Sequence, residues 1–270
     1  MNMKYQWRNA AVLASFASLM ATISAPAPAL AHDIVLVPQG QGVTVRYGHP
    51  KDWQPMEKRR VIELVALTAS GEGQDLQGEL KPRGLDFDVP RLAKAPGQAL
   101  LIAARYDNGL WARLPKVGDA KQVVRNTTRV MLPQAETVTN NLKFAKALLP
   151  SASDGETYKR TLGHLLELVP QANPATLKAG ELLPVLVLFQ GKPLVGAGVE
   201  VGDTAQAIAE DKIKRYVTGA DGIAQVMLRP KGINMLGVDH EQVNDGTLGA
   251  AAKAVGADKF VMVATYTFVR

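Results

Sequence analysis

The sequence predicts an all-β protein: two β-sandwich domains of immunoglobulin or transthyretin-like architecture behind a cleaved N-terminal leader. Three observations carry this. The chain beyond residue 31 is a series of short β-branched and aromatic runs, several alternating with period two. Turn residues punctuate those runs at regular intervals. No apolar pattern of helical period persists for more than about a dozen residues.

The leader comes first. Lys4 and Arg8 form a positive start, Ala10 to Ile23 is an uncharged and largely apolar stretch, and Pro26 and Pro28 precede the small-x-small triplet Ala29-Leu30-Ala31. That order is a secretory signal peptide over 1–31, cut after Ala31. The prolines interrupt the uncharged run before it reaches the ~20 residues of a membrane span. The expected address is therefore the periplasm, with no transmembrane segment in the mature chain. The chain has no cysteine. That excludes a lipoprotein anchor, disulfides and a thiolate metal site. Stability must come from core burial, which a chain of this length can supply.

The expected strands follow in order. They are HDIVLV (32–37), VTVRYG (43–48), VIELVAL (61–67), ALLIAARY (99–106), VVRNTTRVML (123–132), LLPVLVLF (182–189), GAGVEVG (196–202), IAQVMLR (223–229) and FVMVATYTFV (260–269). Turns are expected at Gly40 and Gly42, Gly71-Glu72-Gly73, Lys81-Pro82, Asp107-Asn108-Gly109, Gly191-Lys192-Pro193 and Ala220-Asp221-Gly222. The best helical candidates are TVTNNLKFAKALL (137–149) and GTLGAAAKAVG (246–256). Val169-Pro170-Gln171-Ala172-Asn173-Pro174 reads as a boundary, which places one domain at 32–165 and the second at 166–270.

The formal net charge is +6, and it falls by two when the leader takes Lys4 and Arg8. The remaining basic residues are dispersed and few aromatics stand among them, which is not a nucleic-acid footprint. Enzyme signatures are missing: Gly-x-Ser-x-Gly, a Walker-type phosphate loop and His-Glu-x-x-His do not occur. Asp86 and Asp88 share a strand face, but one carboxylate pair has too few oxygens for calcium. The methionines Met56, Met131, Met227, Met235 and Met262 are scattered and read as core filling rather than a copper(I) site. A non-enzymatic role is expected.

Histidines are few: His32, His49, His164 and His240. Cleavage after Ala31 makes His32 the first residue. Its free amine and its imidazole Nδ1 then close a six-membered chelate ring on one ion. A hairpin around Gln39–Gly42 brings His32 and His49 to its open end. Acidic neighbours accompany three of them: Asp33 beside His32, Asp52 near His49, and Asp239 and Glu241 around His240. Metal-bound imidazoles usually hand their second nitrogen to such groups. The expected metal ligands are His32, His49 and His240. A nitrogen-rich set suits a divalent transition metal: nickel, cobalt, copper or zinc. His164, just before the run LLELV, reads as a hydrogen-bonded structural histidine.

The run GKPLVGAGVEV (191–201) followed by TGADGIAQV (218–226) resembles the small transthyretin-like or carboxypeptidase-regulatory sandwich. Taken with HDIVLVP, KFAKALLP (143–150), YKRTLGHLLELVPQANP (158–174) and FVMVATYTFV, it makes nearly the whole mature chain resemble a larger family. That family is the NikM-like periplasmic component of nickel and cobalt uptake, catalogued largely as a domain of unknown function. One departure is Leu165, where the family often has proline. The resemblance implies a two-sandwich periplasmic accessory that binds nickel or cobalt and works with a membrane transporter component. The contrasting expectation is an adhesion or scaffold module whose sandwiches bind protein or glycan, with the histidines incidental.

Overall fold

β-Branched and aromatic runs on a chain with few good helix formers in register build strands almost everywhere. The computed structural model describes residues 32–40, 42–50, 52–68, 70–89, 91–92, 100–117, 120–149, 155–178, 180–202, 204, 212–248 and 256–270. In chain order the strands are β1 (Asp33–Gln39), β2 (Gly42–His49), β3 (Asp52–Gln54), β4 (Val61–Leu67), β5 (Gly73–Asp75), β6 (Lys81–Arg83), β7 (Asp86–Val89), β8 (Leu100–Val117) and β9 (Ala120–Arg125). There follow β10 (Thr137–Leu149), β11 (Leu166–Pro170), β12 (Leu182–Phe189), β13 (Lys192–Pro193), β14 (Gly198–Gly202), β15 (Arg215–Val217), β16 (Ile223–Met227), β17 (Ile233–Val243) and β18 (Lys259–Val269). Among the described residues the only helical turns are short 3-10 pieces. The predicted signal peptide, 1–31, lies outside these residues, as does 249–255 of the second helical candidate.

Three sheets form. A five-stranded sheet runs β1-β2-β7-β6, with β3 also on β2. A nine-stranded sheet runs β15-β14-β17-β18-β10-β8-β4-β5, with β9 also on β8. A four-stranded sheet runs β11-β12-β13, with β16 also on β12. The large sheet is the shared layer. On β10, Ala145, Ala147 and Leu149 pack with Ile34, Leu36 and Val45 of the five-stranded sheet. The alternate positions Leu142, Phe144 and Leu148 pack with Leu166, Val185 and Val226 of the four-stranded sheet. Period-two alternation thus gives β10 one core on each face. β18 does the same: Phe260, Met262, Tyr266 and Phe268 enter the second core. On its other face the Thr265 hydroxyl donates 2.7 Å to the carbonyl of Ile34, and the Thr267 hydroxyl donates to that of Leu36.

The segments expected as separate sandwiches, 32–165 and 166–270, both contribute to this sheet. The first supplies β4, β5, β8, β9 and β10, and the second supplies β14, β15, β17 and β18. Residues Ala31–Arg270 form one compact unit.

Two local expectations are corrected. Residues 137–149 are the central strand β10 rather than a helix. Every position from Asn140 to Leu149 is buried, so the alternation that marks a half-buried strand disappears. Asp107-Asn108-Gly109 is not a turn between strands. β8 runs straight through it as a bulge: Asn141 faces Gly109 and Leu142 faces Asp107, so Asn108 is the extra residue. Gly109 has φ 76°, and its amide is held by the Asp107 carboxylate at 2.9 Å.

Candidate metal centre

The site begins with the β1–β2 hairpin. Its register runs from Gln39 opposite Gly42 to Asp33 opposite Gly48. His32 and His49 therefore stand together at the open end, with ring centroids 5.5 Å apart and planes inclined by 43°. The Tyr47 ring meets His32 edge-on at 5.5 Å and stacks on Tyr106 at 5.2 Å.

Beyond the hairpin the chain folds back at once, pairing His49 with Asp52 and Gly48 with Trp53. Gly48 permits this: its φ is 123°, and any Cβ there would strike the Asp52 carbonyl. The fold-back carries the Asp52 carboxylate to 3.2 Å from His32 Nε2. The Gln54 amide donates to the other oxygen of Asp52. Asp33 sits 3.7 Å from His49 Nδ1. Each imidazole thus presents one nitrogen to a carboxylate. His32 keeps Nδ1. His49 keeps Nε2, which is buried and has no hydrogen-bond partner.

Charged groups of the large sheet lie against this pair. Lys143 on β10 is 1% exposed, and its Nζ has no hydrogen-bond partner either. Its charge acts on Asp33, Asp239 and His49. Burial pushes the Asp33 carboxyl up to about 7; Glu200 and Asp239 add to this, and Lys143 opposes it. Burial pulls Lys143 down to about 8 against the attraction of Asp33 and Asp239. Burial also pulls His49 down to about 4, helped by His32 and Lys143. His49 is therefore a neutral imidazole at any pH well above that value, which is the form that ligates. Burial raises the Tyr47 phenol to about 12.

Of the three predicted ligands, the structure brings His32 and His49 together and leaves His240 apart. His240 lies on β17 next to Asp239, and neighbours on a strand point to opposite faces. Asp239 acts on Asp33 and Lys143. The His240 ring packs instead on Phe189 of β12, at 4.5 Å, on the side of the four-stranded sheet. Burial lowers its pKa against Asp239 and Glu241. Among the described residues, no three His, Asp or Glu side chains are grouped so as to hold a metal ion by themselves.

His164 is buried, with Nε2 3.3 Å from Glu63 and its ring on Phe144 at 5.3 Å, a structural position as expected. Asp86 and Asp88 are engaged by Arg46 at 3.0 Å and Thr44 at 2.6 Å. Sequence reasoning missed Lys143, whose charge acts on His49, and Asp239, whose charge acts on Asp33 and Lys143. The available signal was a lysine flanked by the apolar residues Leu142 and Phe144, and an aspartate following the run Met235-Leu236-Gly237-Val238.

Fold and site define a β-sandwich protein that carries a carboxylate-flanked imidazole pair at a hairpin mouth. Among the described residues no helix is long and apolar enough to cross a membrane. The chain belongs to the family described as a domain of unknown function, DUF4198, whose model matches residues 29–242. Every residue of the site falls inside that match. A Haemophilus influenzae protein described as an uncharacterized protein is 30% identical over 215 residues, 78% of this chain and 82% of its own length. No solved structure matches.

Proposed function

We propose that the exported and processed protein binds one divalent transition-metal ion between His32 and His49, as an accessory of nickel or cobalt uptake that passes the ion to a membrane transporter component. One observation carries this reading. His32 hands its second nitrogen to the Asp52 carboxylate, Asp33 stands 3.7 Å from the second nitrogen of His49, and the nitrogen left on His49 is buried with nothing to bond. That is the outer arrangement of metal-bound histidines, in which a carboxylate fixes tautomer and ring orientation. The spacing is compatible. With a metal–nitrogen bond of about 2.1 Å the ion lies about 3.2 Å from each ring centre, so rings sharing one ion have centres no more than about 6.4 Å apart.

Two imidazoles are a short ligand set. The third nitrogen in this reading is the α-amine of His32, freed by cleavage after Ala31, with His32 Nδ1 closing the chelate. That explains why side chains alone make no three-ligand group. Nickel and cobalt follow from the resemblance of the chain's motifs to the nickel and cobalt uptake component; the nitrogen set itself also accepts copper and zinc.

The test is calorimetric titration of nickel chloride into three forms: protein beginning at His32, protein with a methionine retained before His32, and His49→Ala beginning at His32. The first binds one ion per chain. The other two lose affinity by about 100-fold or more, since even loss of an outer-shell partner costs 10–100-fold. Equal affinity in all three forms overturns the site.

A further inference from the structure

We propose that Lys143 sets the metal preference of this site: its ammonium occupies the carboxylate side of the imidazole pair and keeps Asp33 and Asp239 from acting as metal ligands. This rests on reading His32 and His49 as the metal-binding residues.

Lys143 lies on β10 opposite Tyr106 of β8 and beside Val263 of β18, and Asp239 of β17 is the next partner of Val263. Lys143, Val263 and Asp239 form one row across the face of the large sheet that meets β1. Asp33 begins β1 and reaches His49 at 3.7 Å. Asp33 therefore stands against the imidazole pair and Asp239 lies in the row of Lys143 behind it, and the lysine charge acts on both carboxylates.

The lysine itself is unusual. It is 1% exposed, yet none of its three N–H donors finds an acceptor. Buried donors are ordinarily satisfied, so an orphaned ammonium calls for an explanation outside structural bonding. A purely structural counter-ion would be hydrogen-bonded to its carboxylates. This one acts by charge alone.

Ligand chemistry converts that charge into selectivity. Carboxylate oxygens are the ligands of hard cations such as manganese, magnesium and calcium, whereas imidazole and amine nitrogens favour nickel, cobalt, copper and zinc. Removing Lys143 leaves Asp33, beside His49, and Asp239, in the row behind it, uncompensated, a mixed site that manganese can enter. With Lys143 in place, a dication approaching Asp33 or Asp239 meets an ammonium already there, and the nitrogen side is what remains.

The experiment titrates manganese chloride and nickel chloride separately into protein beginning at His32, with folding checked by circular dichroism. The wild type prefers nickel. In Lys143→Met, manganese affinity rises by about tenfold or more and the nickel-to-manganese ratio contracts accordingly, as carboxylate charge governs hard-cation affinity. In the double variant Lys143→Met/Asp239→Asn the ratio returns toward the wild-type value. An unchanged ratio in folded Lys143→Met overturns the proposal while the metal site stands. Absence of nickel binding in the wild type overturns the metal site and this proposal with it. Should Lys143→Met not fold, Asp239→Asn alone decides: the ratio holds or widens, and a contraction overturns the proposal.

Discussion

Lys143 and Lys146 lie three residues apart on β10, both are buried, and they face opposite cores. Lys146 points toward the four-stranded sheet. Its ammonium pairs with Glu167 and donates to the carbonyls of Arg160 at 3.0 Å and Leu168 at 3.2 Å. Glu167 in turn accepts from the amides of Leu162 at 2.7 Å and Gly163 at 3.2 Å. Every charge there is answered, and the result fastens the stretch before β11 onto the central strand. Lys143 points toward the five-stranded sheet and bonds to nothing. Neighbouring positions on one strand thus hold a satisfied charge that secures structure and an unsatisfied one beside an unsatisfied histidine. A fully bonded buried network specifies a fold, while a buried group left without a partner calls for an explanation.

The largest effect that tests this contrast is on stability. Lys146→Met strands the Glu167 carboxylate among apolar residues and should destabilise the protein by about 3–5 kcal/mol, measured by urea unfolding. Nickel binding by the molecules that remain folded should be unchanged. Lys143→Met breaks no hydrogen bond but removes the charge that faces Asp33 and Asp239, so its loss should be smaller than that of Lys146→Met and should shrink as pH falls below about 7, where Asp33 is held neutral. Equal losses from the two substitutions would erase the distinction between the two faces.

A second effect sharpens the picture of the histidine side in metal-free protein. His49 is pulled from 6.5 to about 4. Between those values the unfolded chain takes a proton that the folded one refuses, so stability from His49 rises with pH across that window. Asp33 is pushed from 3.8 to about 7. There the folded chain keeps a proton that the unfolded one has released, so stability from Asp33 falls as pH rises. The two oppose each other, and the wild-type profile should be shallow from pH 4 to 6.5. Asp33→Asn should leave a climb of about 2 kcal/mol over that range, after allowance for the partial exposure of His49. His49→Asn should reverse the slope. Chemical denaturation at a series of pH values reads both.

The smallest effect concerns His240. His240→Ala removes a ring packed on Phe189 and should leave nickel affinity within about twofold, well under the tenfold that 1.4 kcal/mol would produce. A loss as large as that of His49→Ala would mean that β17 turns the other face to the site.

Much of this molecule was legible locally. VIELVAL and LLPVLVLF begin and end where their alternation and β-branching place them, at 61–67 and 182–189. The meeting of His32 and His49 was legible too, because a short hairpin with one register brings its two ends together. What the chain's pattern could not reveal was what lies across the sheets. Residues 137–149 became a strand because cores press on both faces, and two-sided burial hides the period that identifies a strand. Lys143 and Asp239 came into one row behind Asp33 through pairings between strands distant in sequence, and His240 was turned away by a single step of strand parity. Side-chain period and turn chemistry are properties of neighbouring residues, so sequence alone determined strands such as 61–67 and 182–189 and the histidine pair. Which face of a strand meets which partner is set by long-range pairing, so only the tertiary structure decided what surrounds that pair.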